Sequence, residues 1–176
     1  MIICNIGHSG FLGSYLSDRF KTSNFPLRFD YSQDYWDWIA SKNKCDYVLY
    51  CARACRKDTP RRDRDTLLSE TTGITKALRA FTDAHFIYCS TKVVDGWTSD
   101  WERYISRNEI GDYIDKILTG EYRNQTIHLP ELDQPQVGPK LNTEHLYYAK
   151  AKSIGETLVK SCAKNYTILR IWDITQ

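Results

Sequence analysis

The chain predicts an α/β fold in which a mostly parallel sheet carries helices on both faces, and three observations lead there. Short β-rich runs recur along the chain with amphipathic stretches between them, the pattern of βαβ units. Two of these runs, in "YVLYC" and "HFIYC", are continuously apolar, as central strands buried on both faces are. The first run passes into the first helix through a glycine-spaced turn, "GHSGFLG". With 176 residues, 41% of them hydrophobic and 13% aromatic, the chain can bury one core and hardly two, so a single domain over residues 1–176 is expected.

Taken in order, the first strand is read at Met1–Ile6. Phe11, Leu12, Tyr15, Leu16 and Phe20 then repeat at helical spacing. A second strand is expected at Pro26–Asp30, a short helix in "YSQDYWDWIASKN", and a third strand at Asp46–Cys51. Leu67, Leu68, Ile74, Leu78 and Phe81 mark another sheet-covering helix, followed by a strand at His85–Ser90. About residues 99 to 119 look helical, Gln125–Leu129 is a weaker strand, and "HLPELDQPQVGPKLN", with three prolines and a glycine, reads as a loop. A last helix, about 144 to 163, feeds a final strand at Thr167–Trp172. "YISRNEIGDYIDK" and "YAKAKSIGETLVK" share a tyrosine, an Ile-Gly-acid core and a lysine at equal offsets; convergent helix-strand patterning accounts for this without duplication.

Composition limits the partners. The formal net charge of +2 is a small excess of 24 basic over 22 acidic side chains, which gives no electrostatic reason to expect nucleic acid or an anionic membrane. No apolar run approaches the roughly 18 residues of a membrane span, and no basic stretch followed by an apolar core opens the chain. A cytoplasmic location is the default expectation. The six cysteines, Cys4, Cys45, Cys51, Cys55, Cys89 and Cys162, mostly lie in strand-like runs and read as buried reduced thiols. Without a C-x-x-C pair, and with no ligand spacing among His85, His128 and His145, no metal site is expected.

The glycine loop carries the first chemistry. A strand-to-helix turn of this spacing lets the backbone approach a pyrophosphate, whose charge is met by the N–H groups at the helix start. Gly7 would make the turn, Gly10 the close approach, and Gly13 the tight packing of helix on strand. Asp30, at the end of the expected second strand, can accept from the ribose hydroxyls and would repel a 2′-phosphate, which favours NAD over NADP. Arg28 weakens that preference, since it could pair with such a phosphate. His8, inside the loop, is read as having no special role.

The second chemistry is a pair on one helix face. Tyr148 and Lys152 stand four apart in "LYYAKAKSIGETL". A lysine ammonium beside a phenol favours the phenolate, making an acid/base for oxidation of a hydroxyl to a carbonyl, with the hydride going to nicotinamide.

The ordered set "GHSGFLG", "CDYVLYCARA", "HFIYCSTKVVDG", "YYAKAKSIGETLV" and "YTILRIWDI" resembles the extended short-chain dehydrogenase/reductase family, the NAD-dependent epimerases, dehydratases and reductases of nucleotide sugars. "STKVVDG" and "YAKAK" look most like its dTDP-4-dehydrorhamnose reductase branch. The resemblance implies a Rossmann-like domain. It also implies cofactor contacts at Gly7, Gly10, Phe11, Leu12, Gly13, Asp30, Ala52, Arg53 and Lys152. Thr91, or Ser90 beside it, would orient the reacting oxygen, Tyr148 would be the acid/base, and Lys152 would lower its pKa and bind the nicotinamide ribose.

The chain departs from the family pattern in four places. It stops at Gln176, before the family's C-terminal substrate-binding region; Glu70 stands where an asparagine is usual; the stretch from Asp30 to Cys45 is short for a further strand and helix; and an insertion covers about residues 97 to 140. The insertion carries Trp97, Trp101, Tyr104, Tyr113 and Tyr122, which suit a ligand wall, a contact with a partner subunit or second copy, or plain core packing. The basic stretch "RACRKDTPRRDRD" could meet the diphosphate of a nucleotide sugar or be a solvated loop. The functional expectation is an NAD(P)-dependent oxidoreductase or epimerase-like protein acting on a nucleotide sugar. The alternative is a non-catalytic dinucleotide-binding or protein-interaction module of the same descent.

Overall fold

A computed structural model describes residues 1–52, 64–95, 104–131 and 146–175. The elements follow as β1 (Ile3–Ile6), α1 (Phe11–Phe20), β2 (Ser23–Phe25), α2 (Gln33–Lys42), β3 (Tyr47–Tyr50), α3 (Arg64–Ala80) and β4 (His85–Thr91). A 3₁₀ turn (Lys92–Asp95) precedes β5 (Tyr104–Ser106), α4 (Arg107–Leu118), β6 (Gln125–Leu129), α5 (Leu146–Cys162), β7 (Asn165–Ile171) and β8 (Asp173–Thr175). Six strands form one parallel sheet in the order β2-β1-β3-β4-β7-β6, and β5 pairs with β8 in a separate parallel ribbon. The expected α/β architecture with a parallel sheet is what the chain adopts.

Strand alternation divides the core in two. Val48, Tyr50, Phe86 and Tyr88 face α2, α3 and α5, where they meet Trp36, Ile74, Leu78 and Val159. Leu49, Ile87 and Leu169 face the other way, toward Leu12 and Leu16 of α1 and Ile110, Ile114 and Ile117 of α4. Consecutive residues of one strand are thus all buried, which explains the unbroken apolar runs. The start of α4 is fixed by a reciprocal capping box between Ser106 and Glu109. In the described part of the insertion, α4 and β6 therefore build core and sheet edge, and Tyr113 and Tyr122 pack against that core, with ring centroids 6.2 Å apart. Trp97 and Trp101 lie outside the described residues.

The shared Ile-Gly-acid pattern has a local cause on each helix. A Cβ on Gly111 of α4 would lie 2.3 Å from the Arg19 guanidinium, and one on Gly155 of α5 would lie 2.3 Å from the Tyr88 hydroxyl. Each glycine clears a different neighbour.

The insertion also changes the path of the chain. β3-α3-β4 and β6-α5-β7 step across the sheet in opposite directions, yet α3 and α5 cover the same face, so the two crossovers differ in hand. By the same reasoning β4-α4-β6 differs from β1-α1-β2. Parallel crossovers are right-handed in about 98% of cases, so the part of the sheet beyond β4 includes an unusual path.

Two expectations are corrected. The second strand is Ser23–Phe25, not Pro26–Asp30: Pro26 has no N–H to give to a neighbouring strand, and pairing with β1 stops at Phe25. Asp30 lies instead in a turn closed by Tyr31 N donating to Arg28 O at 3.1 Å. Nor are all six cysteines free, because Cys4 and Cys45 form a disulfide with Cα atoms 5.9 Å apart. Parallel pairing of β1 with β3 brings together positions that are 41 residues apart in sequence. Among the described residues no helix is long and apolar enough to cross a membrane, and no cluster of three or more metal-ligating side chains occurs.

His85 at the start of β4 gives the fold a pH signature. Its Nε2 lies 2.9 Å from Thr167 Oγ1, whose own proton goes to Tyr122 O at 2.9 Å, so the imidazole must be the donor. Burial, helped by Arg123, lowers its pKa to about 4. Between that value and the unfolded value of about 6.5 the unfolded chain binds a proton that the folded chain refuses, so stability is full above about 6.5 and falls as pH drops toward 4. Chemical denaturation across this window should show wild type losing up to about 3 kcal/mol more than His85→Asn. Parallel curves for the two proteins would refute the assignment.

Candidate functional site

The chain leaves β1 toward β2 on one side, while β3 begins the run of strands on the other, so the crevice at the carboxyl ends of β1 and β3 is a topological switch point. The glycine loop lies there. Gly7 has φ 94°, and a Cβ on it would sit 2.4 Å from Ala52 N at the end of β3. A Cβ on Gly13 would lie 2.1 Å from Gly7 O, so the first turn of α1 packs directly on the loop. Gly10 is different. Its backbone is extended at φ −79°, and the nearest atom to an added Cβ is Gly7 O at 3.4 Å. The fold itself does not demand a glycine at position 10.

Gly10 is the N-cap of α1, makes no side-chain cap, and is followed by no acidic residue in the first turn. The helix-start N–H groups and the positive end of the helix dipole are thus left for an anion. Phe11 is 44% exposed with the Arg107 guanidinium 4.3 Å above its ring, whereas Leu12 is buried in the α1–α4 core. Beneath the loop, the buried Asn5 donates to Gly13 O at 2.9 Å and Ser17 Oγ at 2.8 Å, fastening strand to helix. Sequence reasoning passes over Asn5, although a lone amide in "IICNI" is a visible signal.

Asp30 is exposed and accepts from Arg28 Nε at 3.1 Å. Ala52 reaches the loop, while Arg53, most of the basic stretch and His145 lie outside the described residues. A surface depression of about 900 Å³ opens at the opposite end of the sheet among Cys45, Asp46, Phe81 and His85, away from these groups.

Across the crevice, β4 and α5 hold the second set. Thr91 ends β4, with its Oγ1 accepting from Val93 N at 3.3 Å. Ser90 is buried and donates to Glu156 Oε1 at 2.6 Å, so its hydroxyl is committed to α5. Lys152 is only 3% exposed. Its Nζ donates to Glu70 Oε1 at 2.8 Å and to Cys89 O at 3.2 Å, and stands 4.9 Å from the centre of the Tyr88 ring. Tyr88 donates to the same Glu70 oxygen at 2.9 Å. Burial alone would lower the Lys152 pKa, but Glu70 and the nearby Tyr148 phenol outweigh it and the pKa ends raised. Desolvation and the Glu70 charge push the Tyr88 hydroxyl well up.

A further network escapes the sequence reading. Glu156, one helical turn beyond Lys152, takes Arg170 Nη2 at 2.7 Å and Nε at 3.0 Å, a fork-on-carboxylate pair. Arg170 also reaches Asp95, which Lys92 meets at 2.9 Å. Lys92 donates to His128 Nδ1 at 2.8 Å, and burial together with the Lys92 charge lowers the His128 pKa. The i, i+4 relation of Glu156 to Lys152 is the available clue.

No family model and no curated protein matches the chain. Solved structures do. The UDP-glucose 4-epimerase of Thermus thermophilus, in complex with NAD, superposes with TM-score 0.61 at 13% identity, over 97% of this chain and 54% of that one. The Bordetella bronchiseptica enzyme WbmH in complex with NAD+ gives 0.59 at 13% identity, over 96% and 54%. RMD from Pseudomonas aeruginosa, complexed with NADPH, gives 0.56 at 16% identity, over 97% and 54%. At such identities the likeness establishes the fold alone, a Rossmann-like α/β sheet similar to that of these NAD- and NADPH-complexed proteins. This chain spans about half the length of each.

The buried ion pair is testable by itself. Removing one partner of such a pair leaves an uncompensated charge at a cost of roughly 3–5 kcal/mol, while removing both costs far less. Glu70→Gln and Lys152→Met should each destabilise by about that amount, and the double variant by much less than their sum. Additive losses in equilibrium unfolding would show that the two side chains are not coupled.

Proposed function

We propose that this protein binds a nicotinamide dinucleotide in the switch-point crevice, NAD in preference to NADP, and uses it in an oxidoreductase or epimerase-like reaction on a nucleotide sugar. The observation that carries the binding is Gly10, a glycine the fold does not need, at the uncapped start of α1. A backbone without Cβ at that point matters when a pyrophosphate must come close. Gly7, Gly10, Gly13, Phe11 and Leu12 would supply loop backbone, Ala52 and Arg53 the wall after β3, and Asp30 the ribose contact. Arg28 and Asp30 are exposed and paired with each other, so that contact would have to open or be shared with the ribose. Solved proteins of the same fold that are in complex with NAD support the reading.

For the chemistry, Tyr148 would exchange a proton with the sugar oxygen, Thr91 would hold that oxygen by a hydrogen bond, and the Lys152 charge would favour the phenolate. The bound cofactor would supply hydride transfer. One observation favours the second reading, a binding module without catalysis: Lys152 is held by Glu70 and by Cys89 O, and is 3% exposed. Its ammonium is already matched inside the protein.

Calorimetric titration with NAD separates these ideas. Gly10→Val should abolish binding while leaving the unfolding midpoint close to that of wild type, because a Cβ there makes only an ordinary contact with Gly7 O at 3.4 Å and position 10 is exposed. Retained affinity in this variant would reject the site. Over a panel of nucleotide sugars, Tyr148→Phe should lower turnover by at least about a hundredfold. Unchanged turnover rejects the catalytic role, and wild-type binding without any turnover favours the module.

A further inference from the structure

Two cysteines that neither reading uses face each other at the wall of the crevice. The parallel register pairs Tyr50 with Tyr88, so Cys51 and Cys89 come next in line across β3 and β4, with both side chains on the α1–α4 face. Their sulfurs are 3.5 Å apart. Neighbouring strands run about 4.8 Å apart, which lies toward the short end of the Cα separations of about 4.4–6.8 Å that a disulfide spans. A bridge there forms without rearranging the sheet.

Access and charge suit the same chemistry. Cys89 is 9% exposed and Cys51 is partly exposed, so a small oxidant reaches the paired sulfurs from the Cys51 side. The hydrogen bond from Cys51, reinforced by the nearby Lys152 charge, lowers the Cys89 thiol, while the same contact and burial push Cys51 up. Among the described residues no cluster of three or more metal-ligating side chains includes the pair.

We propose that Cys51 and Cys89 form a redox-active dithiol, closed by a small peroxide to a disulfide between β3 and β4 and reopened by an external dithiol. In the first step the Cys89 sulfur, the one whose thiol is lowered, attacks one peroxide oxygen; the O–O bond breaks, giving a sulfenic acid and water. The Cys51 sulfur then attacks the Cys89 sulfur, the S–S bond forms, and the hydroxyl leaves with the second thiol proton as water. Two thiols and one peroxide thus become one disulfide and two waters, with two electrons passing to the peroxide. Ala52, which follows Cys51, stands where a Cβ on Gly7 would lie, so the glycine loop abuts this strand end and a bridge at Cys51 is expected to alter it. This last coupling rests on the dinucleotide reading.

The test treats the full chain with hydrogen peroxide, blocks remaining thiols, and maps peptides by mass. Expected is a Cys51–Cys89 cross-linked peptide lighter by two hydrogens, reversed by dithiothreitol and absent in Cys51→Ser and Cys89→Ser. Full alkylation of both residues after oxidation, or pairing of Cys51 with Cys55 or Cys162 instead, overturns the proposal. In a Cys55→Ser/Cys162→Ser background, the oxidised form should bind NAD about tenfold more weakly than the reduced form by calorimetry. A cross-link with unchanged NAD affinity overturns the coupling. A cross-link in a chain that binds NAD in neither state overturns the dinucleotide reading and leaves the dithiol standing.

Discussion

A lysine ammonium with 3% exposure has to be answered inside the protein, and the answer by Glu70 organises the face of the sheet on which α3 and α5 lie. Desolvating either charge alone costs several kcal/mol, so α3 and α5 can approach β4 only together. Tyr88 completes the arrangement by giving its proton to the same carboxylate oxygen. Space for the phenols comes from glycines: a Cβ on Gly73 would lie 2.7 Å from the Tyr50 hydroxyl, and one on Gly155 would lie 2.3 Å from that of Tyr88. The polar cluster and the close helix packing are therefore one constraint. The second helix pair, α1 with α4, is held by apolar contacts and by Arg19, which donates to Asp112 at 2.7 Å and Asp115 at 2.6 Å.

Much of this architecture is legible in the sequence because it is local. Apolar runs give the central strands, helical spacing gives α1 and α3, and the glycine loop falls where a strand meets a helix. The second strand is misplaced because "PLRFD" looks β-prone, while Pro26 removes the donor that pairing with β1 would need. What is not local is not legible. Glu70 and Lys152 are 82 residues apart, Ser90 and Glu156 are 66 apart, and only the packing of α3 and α5 on β4 joins them. Strand order is likewise invisible: β6 precedes β7 in the chain but lies outside it in the sheet. The disulfide of Cys4 with Cys45 also depends on the pairing of β1 with β3, which composition does not reveal.

In the function proposed above, cofactor binding and catalysis make separate demands. Binding would need a loop backbone that a phosphate can approach and a helix start without a side-chain cap, for which Gly7, Gly10 and α1 are the candidates, apart from β4 and α5. Catalysis by Tyr148 needs a positive charge that stabilises the phenolate more than the phenol. The candidate charge is Lys152, and its ammonium is shared with a carboxylate 2.8 Å away, which cancels much of its field at any third group. Whether Lys152 could serve an acid/base on α5 therefore turns on Glu70 rather than on the tyrosine-lysine spacing. A neutral side chain at position 70 would free that charge only at the expense of the pairing that lets a lysine be buried there.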